Sequence, residues 1–325
     1  MRRVLPVILL IAMLLSACGN QATTSSSFEY PTEAINIMAP ASPGGGWDST
    51  ARAMQAALAA TTGQTVQVYN VSGAGGTIGL AQFVNEAKGK PHELMVGGLV
   101  MVGAIQTNKA PVNLSQVTPI ALLTAEAEAI VVPADSKYQT LQELIADFKA
   151  NPTAISWGGG SAGGTDHILV GLIAKAVGVA PANVNYIAYS GGGEATAAIL
   201  SGAVTAGVSG VSEFAEQVAA GTMRMLAVSS EERIAGIDAP TLKEAGVDVA
   251  LMNWRAVFGA PDLTPEQRAA VIATIEKMHA SKEWQDALSK NGWTDFFRTG
   301  DEFSTFLNNE ITRIGGVLRD LGLVQ

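Results

Sequence analysis

The sequence predicts an α/β fold of two similar lobes with a ligand cleft between them. Two observations carry this. Short apolar runs alternate with helical patterns at the spacing of strand–helix units. Four of these units are joined by glycine-rich loops, two before about residue 125 and two after it. The 325 residues suffice for two domains. With 35 glycines and only 15% charged residues, the chain is apolar and rich in tight turns.

The elements follow in order. Arg2-Arg3 and the apolar run Val4–Leu15, broken only by Pro6, read as a signal peptide. The run is too short for a membrane span of about 20 residues. Leu15-Ser16-Ala17-Cys18 resembles a bacterial lipobox, in which the cysteine is lipidated and opens the mature protein. Cys18 is the only cysteine, so no internal disulfide forms. Residues 1–18 are thus the signal, and residues 19–29 a flexible tether.

The fold begins near Tyr30 with a strand over Ile35–Ala39. Pro43-Gly44-Gly45-Gly46 ends it, and Asp48 or Ser49 caps a helix that carries Ala51, Met54 and Leu58 and stops at Gly63. Val66–Tyr69 leads into Ser72-Gly73-Ala74-Gly75-Gly76-Thr77 and a helix from Ile78. Leu94–Val96, a short helix near Met101–Gln106, and Ala121–Leu123 follow, which implies a mainly parallel sheet. Ile130–Val132 is a strand, and Thr140-Leu141-Gln142-Glu143 a capping box that opens a helix. Ala154–Trp157 runs into Gly158-Gly159-Gly160-Ser161-Ala162-Gly163-Gly164-Thr165-Asp166 and a helix from His167. Val184–Ile187 runs into Tyr189-Ser190-Gly191-Gly192-Gly193 and a helix from Glu194. Ala203–Ser209 and Met225–Ser229 are strands, with Ser212 capping a helix between them. The C-terminal third is mostly helical, with its strongest start at Thr264-Pro265-Glu266-Gln267. Its aromatic residues, Trp284, Trp293, Phe296, Phe297, Phe303 and Phe306, belong to the core. These helices return to the first lobe, so lobe 1 is residues 30–128 and 230–325 and lobe 2 is residues 129–229.

Charge and motif spacing narrow the chemistry. The net charge of −9, with no basic cluster, argues against nucleic acid and polybasic membrane docking. His92, His167 and His279 have no metal-site spacing, and neither a metal nor a cofactor is expected. Gly73–Gly79 reads G-x-G-x-x-x-G, the wrong spacing for a dinucleotide fingerprint. Gly159–Gly163 matches the G-x-S-x-G nucleophile elbow, and a serine hydrolase using Ser161 is the enzymatic alternative. His167 stands too close behind Ser161 on the following helix to be its base, and no H-G-G-G oxyanion motif exists. Bare backbone at four helix starts instead suits a small anion, because N–H groups and the helix dipole both point there. Asp48 and Asp166 act first as caps, Arg52 as a lobe-stabilising ion pair, and His167 as a local hydrogen-bonding group or a cleft residue. Arg255, in Asn253-Trp254-Arg255, is the candidate fixed charge for a carboxylate.

At these residues the chain resembles the tripartite tricarboxylate transporter receptors, the Bug-type solute-binding proteins. The resemblance rests on Pro40–Asp48, Gly73–Gly79, Gly202–Gly207, Gly221–Ser230 and Pro240–Gly246. Within that family it is most similar to the citrate-type receptors, at Trp157–Ile168, Ser190–Glu194, Val208-Ser209-Gly210 and Asn253–Arg255. Many relatives carry an aspartate where Ser209 stands, which favours a more negatively charged ligand here. The resemblance implies a type II periplasmic-binding-protein-like fold and no catalysis. It implies carboxylates held by backbone N–H and hydroxyl groups, partly through water, at Ser42–Trp47, Gly73–Thr77, Ser161–Thr165 and Ser190–Gly193. The expected contacts are therefore Ser42, Gly44, Gly45, Gly46, Trp47, Gly73, Gly75, Gly76, Thr77, Ser161, Gly163, Gly164, Thr165, His167, Ser190, Gly191, Gly192, Ser209 and Arg255. The implied partner is a membrane permease of one large and one small subunit, served by a lipid-anchored, extracytoplasmic monomer. A receptor that hands its liganded form to a membrane sensor kinase is the other binding-protein reading.

Overall fold

The computed structural model describes residues 28–189, 192–320 and 322–325. The signal peptide, Cys18 and most of the tether lie outside the described residues, as do Ser190 and Gly191. The strands are β1 (Ile35–Ala39), β2 (Val66–Asn70), β3 (Glu93–Gly98), β4 (Thr118–Pro133), β5 (Ser156–Gly159), β6 (Asn185–Ala188), β7 (Ala206–Gly210), β8 (Met223–Val228), β9 (Met252–Gly259) and β10 (Thr294–Thr299). The helices are α1 (Gly46–Thr62), α2 (Thr77–Glu86), α3 (Leu99–Thr107), α4 (Leu141–Ala150), α5 (Thr165–Ala176), α6 (Gly192–Leu200), α7 (Val211–Ala219), α8 (Pro265–His279), α9 (Lys282–Asn291) and α10 (Gly300–Asp320).

The strand order is β2-β1-β3-β9-β4-β7-β5-β6, with β10 and β8 added along β4. The two ends of this path are built alike. Three parallel strands, β2-β1-β3 at one end and β6-β5-β7 at the other, each meet an antiparallel strand that arrives from elsewhere in the chain. That strand is β9 beside β3 and the second half of β4 beside β7. The sheet is therefore mixed, not mainly parallel. The chain passes between the two ends of the path twice, and the antiparallel strands belong to those passages.

One of those passages is β4 itself. The separate strands expected at Ala121–Leu123 and Ile130–Val132 are one 16-residue strand. Up to Ala127 it pairs with β9, and from Glu128 it pairs with β7 and β8. The other passage runs from β8 to β9 through Ser229. Ser229 Oγ accepts a hydrogen bond from the Glu128 N–H at 2.8 Å and donates to the Leu251 carbonyl at 2.6 Å. Its own N–H donates to the Glu128 carbonyl at 2.8 Å. One buried serine thus ties the two connections together.

Local signals behave as their chemistry dictates at several ends. Gly63 closes α1 in the left-handed conformation (φ 69°). Thr264 and Gln267 form a reciprocal capping box around Pro265 at the start of α8. Two expected caps differ. Gly45, not Asp48 or Ser49, precedes the first turn of α1, and Gly210, not Ser212, precedes α7. In both cases an acidic side chain holds the turn, Asp48 from within α1 and Glu126 from β4 at α7, which leaves the cap residue free to be glycine. The C-terminal third contributes β9 and β10 as well as helices. Its α8 and α9 pack on α1, and α10 packs on α3, all within the first half of the molecule.

Removing the Ser229 hydroxyl leaves a buried N–H and a buried carbonyl each short of a partner. Ser229→Ala should therefore cost about 1–3 kcal/mol. The urea midpoint should fall with the slope unchanged; an unaltered midpoint would mean that water replaces the hydroxyl.

Candidate functional site

A cleft of about 700 Å³ opens where the glycine loops of the two halves face each other. The loop after β1 supplies Ser42, Gly44, Gly45, Gly46 and Trp47. The loop after β2 supplies Gly73, Gly75 and Gly76. From the other half come Ser161, Gly164 and Thr165, then Gly193 and Glu194 of α6, and Ser209 at the end of β7. Arg255 and Asn253 of β9 line it too.

The first turns of α1 and α5 open into this space. Helix geometry leaves the N–H groups of a first turn without intrahelical partners. Each turn is built by an aspartate that reaches back to the loop before it. Asp48 Oδ2 accepts from the Gly44 N–H at 2.9 Å, and Asp166 Oδ2 accepts from the Gly160 N–H at 2.6 Å. Burial opposes ionisation of Asp48, but bonds from Arg52, Gly44 and Asn70 outweigh it and hold the carboxyl below its usual value. The same Arg52 bond, at 2.9 Å, is an ion pair within α1 rather than between elements. The second glycine loop needs its glycines for conformation. Ala74, Gly75 and Gly76 all have positive φ (50°, 61° and 85°), and a Cβ on Gly76 would lie 2.6 Å from the Trp47 ring.

Some expected contacts are turned elsewhere. The Thr77 hydroxyl donates to the Ala74 carbonyl at 2.9 Å and does not line the cleft. Gly163 and His167 serve each other: the Gly163 N–H donates to His167 Nδ1 at 3.1 Å. The imidazole stacks on Tyr186 at 4.2 Å between ring centroids. Burial holds it down at about 4, so it is neutral at physiological pH. An imidazole engaged in this way is not available to Ser161 as a base. The Thr165 hydroxyl crosses to Asn253 Oδ1 of β9 at 3.3 Å. Gly192 opens α6, while Ser190 and Gly191 lie outside the described residues.

Arg255 reaches the cleft, but not as a free cation. Its Nη2 pairs with Glu126 Oε2, and both side chains are 2% exposed. Glu126 also accepts from the Ser212 N–H at 2.6 Å, which holds the first turn of α7. Three more carboxyls gather nearby. Glu128 is fully buried and neither of its oxygens has a hydrogen-bond partner. Burial, with Asp166, Glu126 and Glu213 close by, pushes it well above the usual range. Burial pushes Asp166 up to about 6 against the Gly160 bond. Glu213, which lines the cleft and accepts from Ser209 Oγ at 3.2 Å, is pushed up to about 7 by burial and by the neighbouring Glu126 and Asp166.

A model of the tripartite tricarboxylate transporter family receptor matches residues 50–323. The chain belongs to that family. It is 29% identical over 317 residues to the protein BugT of Bordetella pertussis, with 96% of each chain covered. Its fold matches that of R. palustris Rpa4515 with adipate (TM-score 0.82, 21% identity, 90% of this chain and 99% of that one). It also matches that of MatC from Rhodopseudomonas palustris with bound malate (TM-score 0.78, 21% identity, 89% and 100%). The type II two-lobed architecture expected from the sequence is the one these proteins share. The family is one of extracytoplasmic solute-binding receptors rather than enzymes.

Three residues of the receptor's cleft region escaped the sequence reading: Glu126, Glu128 and Glu213. A signal for the first two was present. Thr124-Ala125-Glu126-Ala127-Glu128-Ala129 alternates inside a long apolar run, which sets both glutamates on one face of a strand. Such a face normally meets water; here it meets the joint between the lobes. Nothing local marked Glu213, which looks like an ordinary acid in the first turn of a helix.

The raised value of Glu213 has a stability consequence. Folding favours its neutral form, so its contribution is fully present below the ordinary glutamate range and is lost as pH rises through about 7. Glu213→Gln should therefore become more stable than the parent above pH 7, with the gap closing towards pH 4.5. Urea midpoints measured across that range check this; parallel curves for the two proteins would contradict it.

Proposed function

We propose that this receptor captures a small organic acid outside the cytoplasm and delivers it to a membrane permease of one large and one small subunit. One observation supports this most directly. The first turns of α1 and α5, from opposite halves, face one cleft that is lined with hydroxyls and carries no lysine. Charge-assisted hydrogen bonds to N–H groups contribute about 1.5–3 kcal/mol each, so four or five support micromolar binding after the ordering cost. The folds that hold malate and adipate support the same ligand class.

The two lobes, residues 30–128 with 230–325 and residues 129–229, close about a hinge at the Glu128–Ser229 crossing. Cys18 carries a lipid anchor, and the receptor works as a monomer. A citrate-like tricarboxylate is the ligand that the family branch implies. The cleft supports one or two carboxylates better, because Arg255 is already matched by Glu126 and the carboxyl absent at Ser209 is supplied by Glu213.

Thermal-shift screening of the soluble domain against mono-, di- and tricarboxylates, followed by calorimetry, tests the reading. A true ligand at a hundred times its dissociation constant should add about 2.7 kcal/mol of stability. Ser161 lines the cleft, and Ser161→Ala should weaken that ligand about tenfold, near 1.4 kcal/mol. Gly103→Val tests closure without touching the ligand, because a Cβ there would strike the Gly163 carbonyl across the gap. It should lower affinity for every ligand while leaving the circular dichroism unchanged; unaltered affinity would remove closure from the account.

A further inference from the structure

We propose that Glu213, with Ser209 beside it, is a subsite for a protonated nitrogen, so that the solute is an amino-carboxylate rather than a simple acid. This rests on the receptor reading above and names its ligand class. The cleft floor presents two unmet demands side by side. Arg255, 2% exposed and lining the cleft, has its Nη1 buried without a hydrogen-bond partner. That guanidinium group awaits an acceptor. Glu213 accepts from Ser209 at Oε2, and among the described residues no hydrogen bond is made to its Oε1. That carboxyl awaits a donor. The two lie close enough for Arg255 to draw the Glu213 carboxyl downwards against its burial. A ligand carboxylate answers the first demand and an ammonium group the second.

The charge balance points the same way. Asp166 and Glu213 line the cleft, Arg255 is the guanidinium among the described lining residues, and Glu126 already neutralises it. A ligand bearing only carboxylates adds negative charge to this group. A zwitterionic head group adds none. The place of Glu213 in the first turn of α7 explains an acid at that position. It does not explain why that side chain lines the cleft.

The groups that face Glu213 come from three other elements: Glu126 and Glu128 of β4, Asp166 of α5 and Arg255 of β9. Glu213 sits at about 7 in the empty cleft, and an ammonium ion needs it ionised. Affinity for an amino-carboxylate should therefore rise between pH 5.5 and pH 8, and this rise should vanish in Glu213→Gln.

The test is calorimetry on the soluble domain with matched sets that differ in one group. One set is succinate, malate and aspartate; another is glutarate, 2-hydroxyglutarate and glutamate; a third pairs the apolar amino acids with their 2-hydroxy acids. The expected result is at least one set in which the amino member binds ten-fold or more tighter than its hydroxy isostere. Glu213→Gln should close that gap by weakening the amino member. If that variant does not fold, Glu213→Asp withdraws the carboxylate by one methylene and serves the same comparison. Hydroxy or unsubstituted acids binding as tightly as their amino partners would overturn the ammonium subsite and leave the carboxylate receptor standing. No binding in any set by folded protein would overturn both.

Discussion

Glu126 and Arg255 come from strands that run side by side where the two lobes join, and each is almost wholly cut off from water. Either charge alone at that depth would cost several kcal/mol. Together, with the Ser212 N–H on the other carboxylate oxygen, they are tolerated and fix β4, β9 and α7 against one another. The guanidinium lies over the Trp293 ring at 5.2 Å and comes so near α1 that a Cβ on Gly46 would sit 2.6 Å from Nη2. Gly46 is thus demanded twice, by the bare backbone of an anion site and by the arginine behind it. Breaking such a pair by removing one partner typically costs about 3–5 kcal/mol. The arrangement is a constraint on the fold before it is a feature of the site.

That constraint decides how an acidic protein can hold an acid. With its one cleft guanidinium matched, the receptor draws positive character from peptide dipoles. A helix N-terminus carries roughly half an elementary charge. Here two of them, α1 and α5, face each other across about 700 Å³. Asp48 and Asp166 offset part of that field, yet each folds the loop that aims its N–H groups. The compromise keeps donors directed at the ligand without placing a mobile lysine in the cleft, where its side-chain entropy would be lost on binding.

How much of this the sequence revealed follows from the range of each interaction. The glycine loops were legible because turn, strand end and helix start lie within a dozen residues. Gly63, Thr140 and the Thr264–Gln267 box were legible for the same reason. The mixed sheet was not, because β4 and β9 take their places only through partners far away in the chain. Arg255 was identified as a cleft residue, but its partner Glu126 lies 129 residues off. Without that partner the guanidinium looked available, and a highly charged ligand looked favoured. Ser209 is a related case. Its hydroxyl donates to Glu213, four residues on, so a carboxyl stands beside the position where the resemblance marks an acid as missing. Position-by-position reasoning sees the serine and misses the neighbouring carboxyl.

The joint also links charge to motion. Glu126 and Glu128 sit on either side of the point where β4 changes sheets, and Ser229 binds the second crossing to that same point. In the closure proposed above, rotation about these two strands would move α5 relative to α1 while Arg255 and Glu126, on paired strands, stay together. Contacts between the protein's own residues would then help to define the closed form. The Gly163 carbonyl rests against Gly103, and the Thr165 hydroxyl reaches Asn253. Such closure would have a protein–protein component of its own, and the ligand would supply only the difference between open and closed states. Glycine at position 103 is required by that contact, since a Cβ there would lie 2.0 Å from the Gly163 carbonyl oxygen, and Gly103 is not among the residues that line the cleft.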